Sequence, residues 1–182
     1  MKFLTTPLED AWIIEIEPHV DSRGSFARTV CRNEFRDKGI DADFVQQSFS
    51  RNLKKGIVRG LHYQTSPFEE DKLIRVTRGA VFDVIVDLRK GSGSFGRWFG
   101  IELSVENNRQ LFVPKGFGHG FQTLCENVDV FYQMTEFYQP NSGRCIRWDD
   151  PEIGVIWPLN VSNSDRSVLS EADSQAPFLS EL

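Results

Sequence analysis

The three histidines are the side chains in this sequence best suited to proton transfer near neutral pH. His19 follows Pro18 and precedes an acidic turn over Asp21–Gly24, which predicts an exposed loop. His62 lies in the stretch IVRGLHYQ, and His119 lies in the stretch VPKGFGHGF. The candidate acid–base chemistry therefore depends on His62 and His119.

The surroundings of His62 leave two interpretations open. If residues 57–63 form a strand, His62 shares one face with Val58 and Gly60, and Arg59 lies on the other face. The small residues leave open space in front of the imidazole, which favours contact with a ligand. A core histidine bonded to a backbone carbonyl fits the same spacing.

The residues around His119 match a motif of the cupin fold. The pattern Pro114-x-Gly116-x-x-His119 corresponds to the second half of the cupin signature. Many cupins bind a metal through this histidine together with two histidines and a glutamate from the first half. This sequence contains no HxH pair, and a divalent-metal site usually needs three or more protein ligands. The sequence therefore predicts acid–base chemistry with no metal and no cofactor.

Such a reaction needs an acid and a cation beside the base. Tyr132 is the candidate acid, although its alternation with Val130 and Met134 is also that of a buried core aromatic. Lys72 is the candidate cation and directly precedes the apolar stretch LIRV. A lysine at a strand entrance is usually solvated, so a surface position is the alternative.

Length and composition predict one globular domain. The chain has 182 residues, of which 40% are hydrophobic and 26% charged, with a formal net charge of -5. An acidic chain is a poor nucleic-acid binder, and no apolar run approaches the roughly 20 residues that span a bilayer. The N-terminus reaches acidic residues too early for a secretory signal, and Cys31, Cys125 and Cys145 form no CxxC pair. We therefore expect a cytoplasmic protein with free thiols and with neither a nucleic-acid nor a membrane partner.

Short apolar runs between clusters of glycine, proline, asparagine and aspartate predict an all-β sandwich or barrel. The clearest strand is Ala80–Leu88, in which an apolar face alternates with a mixed face that carries two carboxylates. One short helix is expected over Glu34–Lys38, with Asn33 as its N-cap and Gly39 at its end. Seven further strands are expected, over residues 12–17, 57–63, 73–77, 98–103, 110–113, 120–124 and 129–138.

The segment from about residue 160 to residue 182 is polar and rich in serine. Composition alone favours a disordered end. Val168, Leu169, Phe178 and Leu179 give the segment apolar side chains with which it could instead pack over the barrel.

Six sequence blocks occur in an order that is typical of one enzyme family. They are DSRGSFART (21–29), RGLHYQ (59–64), DKLIRVTRGAVFDVIVDLR (71–89), FGRWFGIELS (95–104), QLFVPKGFGHGF (110–121) and WDDPEIGVIWP (148–158). Together they resemble the dTDP-4-dehydrorhamnose 3,5-epimerase family over residues 12–177. The resemblance implies one cupin jelly-roll domain over residues 1–182, with short peripheral helices and a C-terminal segment that packs back on the barrel. It also implies a metal-free homodimer that inverts C3 and C5 of a nucleotide-linked 4-keto-6-deoxyhexose, on the way to L-rhamnose and surface polysaccharides.

The resemblance assigns four catalytic residues. It implies that His62 is the base that removes the proton next to the ketone and that Asp173 is the carboxylate paired with this histidine. Lys72 corresponds to the cation near the sugar C4 oxygen, where enolate charge develops. Tyr132 corresponds to the acid that returns a proton on the opposite face. An inversion needs groups on both faces, because one base on one face restores the original centre.

Six further positions correspond to substrate contacts in the family. In chain order they are Arg23, Phe26, Gln47, Arg59, His119 and Tyr138. The first two resemble nucleotide contacts that the partner subunit contributes, and Gln47 resembles a base contact. Arg59 and His119 resemble sugar or phosphate contacts, and Tyr138 resembles an aromatic residue that packs near the sugar and the nucleotide.

The departures from the family pattern lie mostly on the nucleotide side. Arg28 stands at an acidic position, Ser48 at an asparagine and Gly143 at a glutamate. They leave open a substrate with another nucleobase, for example a CDP-linked sugar. Inversion at C3 alone is a second alternative, because the placement of the tyrosine, and not its identity, can decide whether the second proton moves. A non-catalytic cupin that binds a nucleotide sugar is a third alternative, but it would have no need of the pair formed by His62 and Asp173.

Overall fold

The eight strands expected from the sequence and five further strands, among them both strands of a hairpin at residues 19–26, assemble into two antiparallel sheets and that hairpin. The computed structural model describes all residues, 1–182. The strands are β1 (Lys2–Thr5), β2 (Trp12–Glu15), β3 (His19–Asp21), β4 (Gly24–Phe26), β5 (Gln46–Asn52), β6 (Val58–Gln64), β7 (Lys72–Arg78), β8 (Ala80–Asp87), β9 (Trp98–Ser104), β10 (Arg109–Val113), β11 (Phe117–Thr123), β12 (Val128–Met134) and β13 (Gly143–Cys145). The helices are α1 (Arg32–Arg36), α2 (Glu171–Ser174) and a 3-10 turn (Leu179–Glu181).

The two large sheets bury their inner faces against each other. One sheet has the order β1-β2-β10-β7-β12-β5, the other has the order β13-β6-β11-β8-β9, and β3 and β4 form the separate hairpin. The main core cluster takes Ile74 and Val130 from the first sheet and Ile85 and Phe121 from the second. Every one of these side chains is almost fully buried. The prediction of an all-β sandwich or barrel is confirmed.

The strand predicted over residues 129–138 is shorter than expected. It ends at Met134, because the following backbone N–H groups leave the ladder. The N–H of Thr135 donates to the carbonyl of Asp71, and the N–H of Tyr138 donates to the side chain of Gln46. Tyr138 therefore lies in a loop at the edge of the sheet.

Helix α1 starts earlier than the sequence predicts. Cys31, with an extended backbone, is its N-cap and makes no side-chain cap, so the prediction of Asn33 as the cap is wrong. The buried ring of Phe35, which packs in a cluster with Leu73, outweighs the local capping preference. Gly39 follows the helix at a φ of +77°, as expected of a residue that ends a helix.

The segment over residues 160–182 lies against the five-stranded sheet. Leu169 is buried in a cluster with Val58 and Trp148, and the N–H of Val58 donates to the carbonyl of Val168. Farther along, the N–H of Arg147 donates to the carbonyl of Pro177. These contacts fix the position of α2. Among the helices, none has the length and apolar character needed to cross a membrane.

Candidate active site

A cavity of about 600 Å³ is lined by residues of both sheets. Strands β5, β7 and β12 contribute from one sheet, β6, β11 and β13 from the other, and α2 from the C-terminal segment. Only seven of its eighteen lining residues are hydrophobic, so the cavity suits a polar ligand. Seven of the ten predicted site residues line it. They are Arg59, His62, Lys72, His119, Tyr132, Tyr138 and Asp173.

His62 and Asp173 form a short hydrogen-bonded pair in this cavity. Nε2 of His62 lies 2.6 Å from Oδ1 of Asp173, and the hydroxyl of Ser170 donates to Oδ2 at 2.7 Å. The N–H of Asp173 donates in turn to the Ser170 oxygen, which is the N-cap of α2. The helix cap therefore holds the carboxylate against the imidazole.

The electrostatics of the pair leave one imidazole nitrogen free. Burial raises the pKa of Asp173, but the bonds from His62, Ser170 and Cys145 outweigh burial and bring this pKa below its ordinary value. An ionised Asp173 makes Nε2 the protonated nitrogen of neutral His62 and leaves a lone pair on Nδ1. The His62 side chain is 48% exposed and its partner is a carboxylate, so the alternative of a core histidine bonded to a carbonyl is wrong.

A bulge in β6 brings Arg59 and His62 into the same cavity. His62 is the register partner of His119, and Arg59 is the partner of Phe121, so three steps on β6 match two steps on β11. The extra residue breaks the alternation, and the prediction that Arg59 lies on the opposite face is wrong. Gly60 has a φ of +125°, and a Cβ there would lie 2.7 Å from the carbonyl oxygen of His119. Only glycine fits this position.

His119 and Tyr132 occupy the inner part of the cavity. Nε2 of His119 lies 3.0 Å from each carboxylate oxygen of Asp83, and both side chains are buried. The His119 ring meets the ring of Tyr132 edge to face, with centroids 6.0 Å apart. Burial raises the pKa of Tyr132, the negative charge of Asp83 raises it further, and Arg59 lowers it only in part. The Tyr132 phenol is therefore protonated at neutral pH and available as a proton donor.

Lys72 is buried rather than solvated. Its side chain is 11% exposed, and Nζ lies 3.2 Å from Oε1 of Glu70 and 3.2 Å from the carbonyl oxygen of His62. The second Glu70 oxygen accepts from Nε2 of Gln64. These bonds hold the ammonium group at the cavity wall beside His62, and the alternative of a surface lysine is wrong.

Comparison with known proteins gives the family. The sequence profile of the dTDP-4-dehydrorhamnose 3,5-epimerase family matches residues 5–181. The chain belongs to this family. The family expected from the six sequence blocks is confirmed, and with it the class of the enzyme, an isomerase of the epimerase type.

Relatives of known name cover almost the whole epimerase chain. The dTDP-4-dehydrorhamnose 3,5-epimerase of Methanothermobacter thermautotrophicus is 44% identical over 172 residues, which are 94% of this chain and 91% of the relative. The crystal structure of the Bacillus anthracis enzyme with TDP and PPi bound has a TM-score of 0.92 at 39% identity and covers 98% of this chain and 99% of that chain. A Legionella pneumophila dTDP-6-deoxy-D-glucose-3,5-epimerase in complex with dTDP-4-keto-L-rhamnose has a TM-score of 0.90 at 41% identity, covering 98% and 93%. These structures confirm the cupin jelly roll.

Three predicted contacts lie outside the cavity of the epimerase chain. Arg23 and Phe26 lie on the β3–β4 hairpin and line a separate hollow there, with Phe26 77% exposed. Gln47 lies on the other face of β5, since its neighbours Gln46 and Ser48 line the cavity. Within one chain, the structure does not bring Arg23, Phe26 or Gln47 to His62.

Other residues of the site have only weak sequence signals. Asp83 lies on the mixed face of β8, whose two carboxylates on a mostly apolar strand are a usable signal for a buried partner. Cys145 reaches the cavity as the register partner of His62, and Glu70 reaches it through Lys72. Neither position has a periodic sequence signal, because Cys145 reaches the cavity through a strand pairing and Glu70 lies in the loop before β7.

Proposed function

We propose that this epimerase inverts C3 and C5 of dTDP-4-dehydro-6-deoxy-D-glucose and so forms dTDP-4-dehydro-L-rhamnose. The observation that carries the proposal is the pair formed by His62 and Asp173 at 2.6 Å in a polar cavity that also contains Tyr132 and Lys72. The named activity of the relatives supports this reaction. The bound dTDP-4-keto-L-rhamnose of the Legionella pneumophila structure supports this class of ligand.

His62 removes the proton in each inversion. Both C3 and C5 are adjacent to the C4 ketone, so the same enolate chemistry applies at both carbons. The lone pair on Nδ1 accepts the proton, and Asp173 stabilises the imidazolium that forms. Because α2 and the Ser170 cap hold Asp173, the ring keeps its orientation during both steps.

Lys72 stabilises the charge that moves to the C4 oxygen. Its ammonium group lies in the cavity wall within 3.2 Å of the backbone of His62, so base and cation act on neighbouring atoms of the sugar. A cation held in a fixed position stabilises an enolate more than a mobile one in solvent does. Glu70 keeps the ammonium in place.

Tyr132 returns the proton from the other side. His62 lies on β6 of the five-stranded sheet, whereas Tyr132 lies on β12 of the six-stranded sheet, and both line the same cavity. A sugar between the two sheets therefore has the base on one face and the phenol on the other. Protonation on the face opposite to abstraction inverts the carbon. Between the two inversions, the half-exposed imidazolium of His62 loses its proton to solvent and the Tyr132 phenolate regains one, so base and acid start each step in the same state.

Solvent deuterium exchange tests the reaction. In D2O, dTDP-4-dehydro-6-deoxy-D-glucose should gain deuterium at C3 and C5 and yield the L-rhamno product. Deuterium at C3 alone would identify a 3-epimerase, and the absence of exchange at both carbons would identify a non-catalytic binding protein. Either result overturns the proposal.

The same assay with other nucleotides tests the base preference. Ser48 lines the cavity, and a Cβ at Gly143 would lie 3.4 Å from the ring of Tyr138, so two of the departures from the family pattern lie at the site. Arg28 bonds to Glu34 at 2.9 Å and lies outside the cavity. We propose dTDP as the carrier, and a higher kcat/KM with the CDP-linked sugar would contradict this choice.

We also propose that the active form is a cytoplasmic homodimer. Strand β5 is the edge of its sheet, and Phe49 and Leu53 on or beside it are 54% and 64% exposed. An exposed apolar edge strand suits pairing with a second copy. The projecting hairpin, with Arg23 and Phe26, would then reach the partner's cavity. Three free cysteines fit a reducing compartment.

Sedimentation of a surface variant tests the dimer. Phe49→Glu should shift the protein to monomers and raise KM, because each cavity would lose the partner's hairpin. Exposed Val105 lies outside β5 and the hairpin, so Val105→Glu is the matched control and should remain dimeric. A wild-type monomer with full activity would contradict the proposal.

A further inference from the structure

Cys145 completes a group of three metal-ligating atoms around the proposed base. Sγ of Cys145 lies 3.6 Å from Oδ1 of Asp173, and that same oxygen lies 2.6 Å from Nε2 of His62. All three ligand atoms lie within 4.8 Å of one another. A thiol, an imidazole and a carboxylate are the three side-chain types that bind Zn²⁺.

We propose that His62, Cys145 and Asp173 form an inhibitory Zn²⁺ site, in which the Cys145 thiol releases its proton to solvent and the Nε2 proton of His62 moves to Nδ1, so that sulfur and Nε2 are both free to bind the ion. The inhibition, though not the binding, rests on the proposed function of His62. The fourth coordination position faces the cavity and is left for water.

The geometry is close to that of a tetrahedral zinc site. Zn–S bonds of about 2.3 Å and Zn–O bonds of about 2.0–2.2 Å place sulfur and oxygen ligands roughly 3.6 Å apart. The observed distance between Sγ and Oδ1 is 3.6 Å. Nitrogen and oxygen ligands lie roughly 3.3 Å apart in such a site, so Nε2 and Oδ1 need to separate by about 0.7 Å. Rotation of the half-exposed His62 ring provides this movement.

Three separate elements hold the ligands. His62 and Cys145 are register partners on β6 and β13, so their side chains lie side by side on the sheet. Asp173 comes from α2, where the Ser170 hydroxyl donates to the carboxylate and accepts from the backbone N–H of Asp173. Cys145 and Asp173 are thus largely preformed as ligands, and the exposed imidazole closes the site over an ion from solvent.

Zinc at this position disables the base. A neutral imidazole has one nitrogen with a free lone pair. When Nε2 binds the metal, the single proton of the imidazole moves to Nδ1, which can then no longer accept a proton from the sugar. The metal also neutralises the Asp173 carboxylate, whose charge stabilises the imidazolium in the free enzyme. Bound Zn²⁺ therefore lowers kcat.

Two thiol variants separate this site from unspecific binding. Cys145→Ser should bind zinc chloride at least ~10-fold more weakly than wild type by calorimetry, since even partners outside the ligand set cost 10–100-fold. Cys31→Ser is the matched control, because Cys31 is half-buried and lies outside the cavity, and its zinc affinity should equal that of wild type. Equal affinity of the two variants would overturn the site. Thermal melting confirms that both variants are folded.

Cobalt provides a measurement that depends on no variant. Co²⁺ added to the wild-type protein should give the charge-transfer absorption of a cobalt thiolate, at one ion per chain, and added Zn²⁺ should remove it. The absence of this absorption would overturn the proposal without any activity assay. If the absorption is present and the protein exchanges no deuterium into the sugar, the site holds and the proposed function fails. If turnover continues at the wild-type rate with the zinc site filled, the inhibitory role is wrong.

Discussion

His62 and His119 are direct register partners across β6 and β11, and each imidazole is bonded to a carboxylate of its own. The two pairs differ in exposure. The His62 side chain is 48% exposed, whereas His119 and Asp83 are buried. This difference divides the roles: the exposed pair can exchange protons with a substrate, and the buried pair supports the wall beneath Tyr132.

Removal of either member of the exposed pair should abolish exchange at both carbons. A general base contributes about 10²–10⁴-fold, so His62→Ala should lower deuterium exchange at C3 and C5 by that factor. Asp173→Asn should act on the same step, and the double variant should be no slower than His62→Ala, because the two residues form one unit. Asp165→Asn, on an exposed part of the same segment, is the control and should keep full exchange. Near-normal exchange in His62→Ala would contradict the assignment of the base.

Removal of metal should leave the reaction intact. His62 and His119 are neighbours, but each is engaged by its own carboxylate, and the mechanism uses only side-chain protons and charge. Enzyme dialysed against EDTA should therefore retain full turnover, measured as formation of the L-rhamno product. Loss of turnover on dialysis with recovery on addition of one divalent ion would show that the reaction depends on a metal.

The fold could be predicted from the sequence because its main signal is local. Alternation along Ala80–Leu88 and short apolar runs between turn residues predict strands without knowledge of their neighbours, and the observed β8 ends at Asp87, one residue earlier. The errors lie where a tertiary contact determines the residue at which a helix or strand begins or ends. The start of α1 follows the burial of Phe35, and the end of β12 follows bonds that involve Asp71 and Gln46.

The site could be predicted only in part for the same reason. The family resemblance singles out His62, in the block RGLHYQ, and Asp173, which lies after the last block. Alternation places Arg59 on the wrong face, because the extra residue in β6 cannot be seen in a single strand. The buried position of Lys72 involves its bond to the backbone of His62 on β6, and the position of Cys145 depends on the pairing of β13 with β6. Non-local partners of this kind have no periodic signal in the sequence.

Gly60→Ala should disrupt the bulge in β6 that brings Arg59 and the proposed base His62 into one cavity. The new Cβ would lie 2.6 Å from Cα of Gly120 and 2.7 Å from the carbonyl oxygen of His119, and both are backbone atoms that cannot give way. The positive φ alone costs about 1–3 kcal/mol for a residue other than glycine, and the clash adds to this cost. We expect a lower free energy of unfolding in urea and a loss of exchange in the folded fraction.

Gly93→Ala is the matched control for the bulge. A Cβ at Gly93 meets nothing within 4 Å, and this residue does not need a positive φ. Its unfolding midpoint and activity should stay at the wild-type values. If Gly60→Ala behaves in the same way, the backbone around Gly60 does not require glycine at the bulge.

Asp87 should make the stability of the fold depend on pH in the acid range. Burial raises the pKa of this carboxyl, but bonds from Arg89, Ser94 and Ser92 outweigh burial and hold its pKa well below the ordinary value. A group with a depressed folded-state pKa stabilises the fold above its unfolded pKa of about 3.9 and loses that contribution as the pH falls below it. Asp87→Asn should therefore cost about 1–3 kcal/mol at pH 7, and the difference from wild type should narrow below about pH 4.

Urea unfolding at neutral and acid pH measures this effect. Asp37→Asn, at an exposed carboxylate without hydrogen-bond partners, is the control. Its free energy of unfolding should equal that of wild type at both pH values. A constant difference between Asp87→Asn and wild type across the acid range would show that the ionised form of Asp87 is not what stabilises the loop.

Tyr132→Phe should separate proton removal from inversion. The phenyl ring keeps the edge contact with His119, and a near-isosteric exchange typically costs less than ~1.5 kcal/mol of stability. His62 still abstracts the proton, so deuterium should wash into the starting sugar. Without the phenol on the opposite face, this exchange should occur without a change of configuration.

One assay therefore reports both residues, since exchange measures His62 and epimer formation measures Tyr132. Phe131→Tyr is the matched negative control, because position 131 lies on the other face of β12. A tyrosine added there to the Tyr132→Phe variant should not restore epimer formation. Inversion of both carbons by Tyr132→Phe at the wild-type rate would assign the second proton to another group or to water. Loss of exchange together with inversion would instead mean that Tyr132 positions the sugar, because a pure proton donor on the far face has no part in the abstraction by His62.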